Sequence, residues 1–474
     1  MPTQPVEVFA PEAAGAQHAL VDLDLLGHAA RRAVAYLQGL ATRRVAPSES
    51  AVRDLDELAG PLPDVPPDPR AVLDLLDRIG SPATVATAGA RYFGFVNGAA
   101  LPVSVAASWM ASAWDQNAGL RVMSPAAAAL EDVVLGWVCD LLGLPAECGG
   151  ALVTGATMAN FAGLAAARHA LLERAGWDVE NDGLFGAPPL TVVVGEEVHA
   201  SLVKALGLVG LGRRRVVRVP VDGQGRMRPD QLPALNGQTI LCTQAGNVNT
   251  GAFDPAGETC RRAHDAGAWV HVDGAFGLWA AASPRYRHLT NGFEQADSWA
   301  TDAHKWPNVG YDCGIALVRD PRPLRLAMAV SAAYLAPGEQ REPSHYTPEM
   351  SRRARGVELW AALRSLGRSG IAALIERTCA HARKFAEGLR GAGYEILNEV
   401  VINQVLVSFG DPALTRAVIE RVQQEGACWC GATEWQGRTA MRISVSSWAT
   451  TSEDVEVSLA AIRRAAEKCS RSGR

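Results

Sequence analysis

Long runs of positive charge are missing from this chain. Its densest basic stretch is RRRVVR at 213–218, and its 474 residues carry a net charge of −5. That balance excludes the electrostatic footprint of a nucleic-acid binder. RRRVVR, interspersed with valine, reads instead as a strand with one solvated face. Paired cysteines are missing too. The nine cysteines stand singly apart from CWC at 428–430, which excludes a zinc ribbon or a disulfide framework and fits reduced thiols in a cytoplasm. The N-terminal MPTQPVEVFAPEAAGAQ lacks the basic region and apolar run of a secretory signal. One uncharged stretch, residues 92–114, has the length to span a bilayer. Asn97, Gly98, Pro102 and several serines interrupt it, so it is expected to form the buried wall of a pocket, with no membrane involved. There is no internal repeat. GLVGLG at 207–212 is not GxGxxG and follows no strand, which removes a nicotinamide site.

What is present is an ordinary globular composition, 48% apolar and 20% charged, which excludes extensive disorder. ALVDLDLLGHAARRAVAYLQGL near the N-terminus places apolar residues at helical spacing. The Pro-rich GPLPDVPPDPR at 60–70 then sets this arm apart. From about residue 130, helical patterns alternate with short β-branched runs at 191–194, 214–221, 238–243, 268–273, 297–301 and 313–318. Such alternation predicts a parallel α/β sheet covered on both faces. Past about 370 the pattern changes to that of a smaller α+β domain. The expected organisation is a helical arm over 1–90, a large α/β domain over 91–365 and a small C-terminal domain over 366–474.

Ligands of such sheets gather where strands end, and four predicted strand ends carry polar residues. AWVHVDGAFG ends in Asp273 followed by the small Gly274 and Ala275. DSWATDAHKW ends in Asp302, His304 and Lys305. ILCTQAGNVNTG ends in Gly246, Asn247 and Asn249. VVVGEEVHASLVKAL ends in Glu196 and Glu197, with His199 opening a helix. A lysine and a carboxylate on nearby strand ends are what pyridoxal phosphate (PLP) needs. The amine forms a Schiff base, and the carboxylate holds the proton on the ring nitrogen so that the ring accepts electrons. ALVTGATMANFAGLAAARHAL adds a phosphate cradle, with Gly155, Ala156 and Thr157 before a long helix whose N-terminal amides favour an anion. Each residue also has a plainer reading. Lys305 alone is a surface lysine, Thr157 alone a helix N-cap, and His199 alone a hydrogen-bonded structural histidine. His271 and Asp273 are expected to point to opposite faces of their strand, which leaves no metal site. The coincidence of all four elements in chain order decides for the cofactor.

HVDGAFG and DAHKW at this separation, after GATMAN, resemble the group II PLP-dependent amino acid decarboxylases, a family that includes aromatic-L-amino-acid and glutamate decarboxylases. The resemblance runs from about residue 92 to the C-terminus. It implies PLP-dependent transferase fold type I, aspartate aminotransferase-like, in a homodimer with the active site at the subunit interface. It further implies Lys305 as the Schiff-base lysine, Asp273 on the ring nitrogen, His199 stacked on the ring and Ala275 on the other face. Gly155, Ala156, Thr157, Asn247, Asp302 and His304 would surround the phosphate and ring substituents. Tyr334 falls on the family's mobile catalytic loop, and Arg442 matches a position that holds a substrate carboxylate in glutamate-type members. Met158 replaces the Glu of a GTEAN-like motif, and Pro307 an aliphatic residue, so the family's finer substrate rules do not transfer. YFGFVNGAALP, with Tyr92, Phe93, Phe95 and Val96, is expected to line an apolar side-chain pocket. The expected activity is α-decarboxylation of an L-amino acid, weakly favoured aromatic, to CO2 and the primary amine. The rivals are an oxidative decarboxylase (aldehyde synthase) or aminotransferase, and a non-catalytic binding protein on a degenerate enzyme fold.

Overall fold

A computed structural model describes residues 22–330 and 340–472. By their contacts the residues divide into two compact units, Met1–Thr42 with Pro47–Thr84 and Arg43–Ala46 with Val85–Arg474. Within the first unit the helix Leu23–Gly39 is capped by Asp22, whose carboxylate accepts the amide of Leu25. Its Arg32 pairs with Asp74 and Asp77, and its His28 bonds Asp74 at 2.6 Å.

The second unit is built on a seven-stranded sheet. In chain order the strands are β1 (Gly149–Val153), β2 (Thr191–Gly195), β3 (Val216–Val219), β4 (Thr239–Gln244), β5 (Trp269–Asp273), β6 (Ser298–Asp302) and β7 (Gly314–Val318). Their spatial order is β1-β7-β6-β5-β4-β2-β3. All run parallel except β7, which is antiparallel to both β1 and β6. The expected parallel sheet is found, with this one strand reversed within it. A strand buried on both faces has the same apolar composition whichever way it runs, so direction is invisible in CGIALV.

Successive residues of each strand enter different cores, because side chains alternate across the sheet. Val193, Leu241, Val270 and Val272 face one core, and Val192, Val194, Ile240, Cys242 and Trp269 face the other. The helix Ala156–Arg174, apolar nearly all round and almost wholly buried, covers the second face. A four-stranded antiparallel sheet follows, from β8 (Glu395–Ile396), β9 (Gln404–Ser408), β10 (Gly431–Trp435) and β11 (Arg438–Ser444), in the order β10-β11-β9-β8. The helix Gly356–Gly391 leads into it and is broken at Gly367, whose φ of 59° lies in the left-handed region that glycine enters without strain.

Residues 92–114 are not the single buried wall expected. Phe93 and Val96 are core residues. The helix Pro102–Trp114 leaves Trp109, Met110 and Trp114 exposed. Among the described residues no helix is long and apolar enough to cross a membrane.

Candidate active site

The parallel strands end on one edge of the sheet, and that edge collects the polar residues singled out in the sequence. β6 ends at Asp302, and three residues on, Lys305 Nζ lies 3.1 Å from the Asp302 carboxylate and 6.0 Å from the ring centre of Phe276. The lysine side chain is 16% exposed, so its amine neither points into bulk water nor is sealed away. Its backbone is pinned from several sides. Asn308, at φ 56°, donates its side-chain amide to the carbonyls of Lys305, Trp306 and Ser446. Trp306 is buried and donates its indole N–H to Thr378. Gly98 packs against the Lys305 carbonyl so closely that a Cβ would collide with it.

Asp302 also accepts the backbone amide of Ala156 at 2.6 Å, which fastens the start of the Ala156–Arg174 helix to the lysine-bearing strand. That approach requires two glycines. β7 runs between β1 and β6, and a Cβ on its Gly314 would strike the Gly155 backbone, while one on Gly155 would meet His304 Cε1 at 3.1 Å. The N-cap position is Gly155, without a side-chain cap, so the reading of Thr157 as the cap is corrected; it sits one position into the helix. His304 accepts the Cys313 amide on Nδ1, and its ring stacks on Tyr311 at 4.3 Å. Burial pushes this imidazole below its ordinary value.

Asp273 ends β5, beside β6. One oxygen accepts from the Asn160 amide at 3.2 Å, and the other takes only a long bond of 3.3 Å from the Ala275 amide. Asn160 also bonds His271 at 2.9 Å. His271 and Asp273 therefore share a face, contrary to expectation. The error was one of period: side chains alternate along a strand, so residues two apart point the same way. Among the described residues no three His, Cys, Asp or Glu side chains are grouped so as to hold a metal ion.

His199 caps the helix Ala200–Leu208, its Nδ1 accepting from the Ser201 amide. Burial lowers its pKa, the Asp273 carboxylate opposes that, and the nearby Lys305 and Arg442 cations reinforce it. Asn247 is buried, and its carbonyl oxygen holds the turn amides of Asn249 and Thr250. Arg442, on β11, is largely desolvated, which lowers its pKa. Its guanidinium reaches Asn249 at 3.4 Å, and among the described residues no carboxylate pairs with it. Tyr92 lies close to it, with its phenol pushed up to about 12 by burial. Tyr92 and Phe95 both stack on Trp429, at 5.1 and 5.5 Å, but Phe95 is 62% exposed. Tyr334 lies outside the described residues.

Sequence reasoning singled out Asn249 at a strand end but missed Asn160, Phe276, Tyr311 and Trp429. Asn160 was within reach, because it stands in GATMAN, one helical turn after the phosphate cradle. Phe276 stands in HVDGAFG and Trp429 in CWC, stretches noted for other reasons, while Tyr311 carries no local pattern. The donor set fits PLP on its own chemistry: a largely buried primary amine, a carboxylate one strand away with a weakly engaged oxygen, and a helix N-terminus fastened to Asp302 beside the amine.

Comparison with known proteins agrees with that fit. A family model described as the pyridoxal-dependent decarboxylase conserved domain matches residues 82–410. The chain is similar to an aromatic-L-amino-acid decarboxylase of Drosophila lebanonensis, 30% identical over 373 residues, covering 73% of this chain and 91% of that one. It is also similar to an acidic amino acid decarboxylase of Bos taurus, 26% identical over 366 residues, with 71% and 69% covered. A crystal structure of Oryza sativa TDC with PLP and tryptamine superposes with a TM-score of 0.87 at 23% identity, covering 95% of this chain and 99% of that one.

Proposed function

The chain belongs to the pyridoxal-dependent decarboxylase family and is a PLP-dependent carboxy-lyase of fold type I acting on an L-amino acid; from that premise we propose that its substrate is aromatic and that Lys305, Asp273 and His199 form its catalytic centre. One observation carries the assignment of residues. Lys305 and Asp273 stand at the ends of adjacent parallel strands, and Asp302 ties that edge to the N-terminus of the Ala156 helix.

When bound, PLP supplies an electron sink for the pair left on the substrate's Cα as CO2 departs. Lys305 Nζ would hold it covalently. Asp273 would hold the proton at the ring nitrogen, with His199 and Ala275 against the ring faces. Gly155, Ala156 and Thr157 would carry the phosphate on backbone and hydroxyl donors, with Asn247, Asp302 and His304 around the remaining substituents. Arg442 would take the substrate carboxylate, because a desolvated guanidinium without a carboxylate partner attracts an anionic ligand. Tyr92 and Phe95, ranged about Trp429, would receive the side chain. Tyr334 would deliver the proton to Cα, as the family's loop tyrosine.

A homodimer sharing the active site at its interface is part of this reading, supported by the exposed Trp109, Met110 and Trp114 on one short helix. So are a cytoplasmic location, supported by nine free cysteines, and functional domains over 1–90, 91–365 and 366–474. Arg442 also supports a second reading, an acidic substrate. A screen of the common amino acids with added PLP decides between them. Release of CO2 and amine from tryptophan, tyrosine or phenylalanine is the expected result, and turnover of aspartate or glutamate instead would replace the aromatic reading. Accumulating keto acid would point to an aminotransferase, and aldehyde with peroxide to an oxidative decarboxylase.

A further inference from the structure

We propose that Trp269, Ser298, His271 and Asn160 form a buried, one-directional chain of hydrogen bonds that positions Asp273 for the cofactor's ring nitrogen. The proposal rests on the assignment of Asp273 to that nitrogen, and it adds four residues outside the set assigned to substrate and cofactor.

The geometry is continuous. Trp269 Nε1 lies 2.9 Å from Ser298 Oγ, Ser298 Oγ lies 2.8 Å from His271 Nδ1, His271 Nε2 lies 2.9 Å from Asn160 Oδ1, and Asn160 Nδ2 lies 3.2 Å from Asp273 Oδ2. Elementary donor chemistry fixes its direction. The Asp273 carboxylate can only accept, so the Asn160 NH2 faces it and Oδ1 faces His271, whose ring must donate there. The neutral ring is then bare at Nδ1, and Ser298, which accepts the indole N–H of Trp269, turns its own proton toward that nitrogen. A flipped amide would oppose two acceptors, Asn160 Oδ1 and Asp273 Oδ2. The chain therefore runs from a group that only donates to a group that only accepts.

The surroundings are built for it. Ser298, His271 and Asn160 are wholly inaccessible to solvent, and Trp269 is buried. Trp269, His271 and Asp273 occupy alternate positions of β5 and so share the face covered by the helix that carries Asn160. One turn along that helix stands Gly163, where a Cβ would come within 2.6 Å of His271 Cε1 and 2.7 Å of its Nδ1. The glycine makes the space the ring occupies. Burial holds His271 neutral, with its pKa at about 3, the state the chain requires. Nothing else in β5 demands polar groups here; an apolar residue at 271 would pack like its neighbours.

The test uses the holoenzyme with PLP labelled with 15N at the ring nitrogen. Ser298→Ala deletes one hydroxyl and Trp269→Phe deletes the indole donor that holds that hydroxyl in place. Each is expected to move the 15N resonance toward that of unprotonated pyridine and to weaken PLP retention by about three- to tenfold, the size of one ordinary hydrogen bond. Each should also lower kcat by a similar factor with KM little changed, while Ser298→Thr, which keeps the hydroxyl, stays near the parent. If either variant folds with the parent's circular dichroism yet keeps its 15N shift, PLP affinity and kcat, the chain has no positioning role. A loss of melting temperature alone, with the resonance unmoved, overturns it equally. Asp273→Asn serves as the separate control: an unchanged resonance there refutes the assignment of Asp273 itself, not the chain.

Discussion

Among single residues, Lys305 shows how much of a side chain's character its neighbours impose. Asp302 beside it and the carbonyl-pinning Asn308 behind it leave the amine aimed and largely buried. Lys305→Ala should lose the visible absorbance of bound PLP and at least about a thousandfold in turnover, read by spectrum and CO2 assay. A covalent adduct recovered on another lysine after borohydride reduction would contradict the assignment. Tyr334→Phe removes only a hydroxyl. Protonation at Cα should slow by about a hundredfold, so that amine yield falls while aldehyde and peroxide rise in air; parent amine yield without aldehyde would mean another group supplies the proton. His271 makes a prediction about pH. Its folded pKa of about 3 lies below the ordinary 6.5, so below pH 6.5 the unfolded chain binds the extra proton. Its stabilising contribution is complete above that value and is lost as pH falls through it toward about 3. The slope is about 1.4 kcal/mol per pH unit, and the lowered pKa values of His199 and His304 add in the same direction. Urea unfolding of the apoprotein between about pH 4 and 7.5 should show the slope flattened in His271→Gln.

At the scale of elements, the helix Ala156–Arg174 carries the site. Its first amide bonds Asp302, Asn160 in its second turn bonds Asp273, and Gly163 one turn later admits the His271 ring. Gly163→Ala improves intrinsic helix propensity, yet the added methyl collides with a buried imidazole that cannot retreat. It should cost about 1–3 kcal/mol of stability by urea midpoint, where a glycine retained only by chance would yield a gain. The strands themselves were legible in the sequence because a doubly buried strand is a short β-branched run bounded by turn residues, as TVVV and QTILCT are. The reversal of β7 was not, because hydrophobicity carries no direction. Phe93 and Val96 were read as pocket residues because aromatic and apolar side chains look alike in a core and in a cavity.

For the whole molecule, the question is what covers the apolar surface of the larger unit. Trp109, Met110 and Trp114 are exposed along one helix, and Val122 and Met123 follow. In a homodimer these would be buried, and Trp109→Asp would place a charge in that interface. The protein should sediment at twice the mass of one chain and the variant at the mass of one, with activity falling alongside. A parent that sediments as a monomer at full activity would remove the shared interface from the reading.

The sequence by itself determined the chemistry of the strand ends. Lys305, Asp273, the GAT turn and His199 are reactive types bracketed by strand patterns, and local spacing is enough to place each at a strand's end. It also determined the family, because HVDGAFG and DAHKW occur together at their separation. Only the tertiary structure decided which of these groups meet. Asp302, not Asp273, pairs with Lys305, and Asn160, more than a hundred residues away from Asp273, holds the carboxylate. Those choices depend on which strand lies beside which and which helix covers a given face. They are set by packing between segments distant in sequence, and no local window of residue types contains that information.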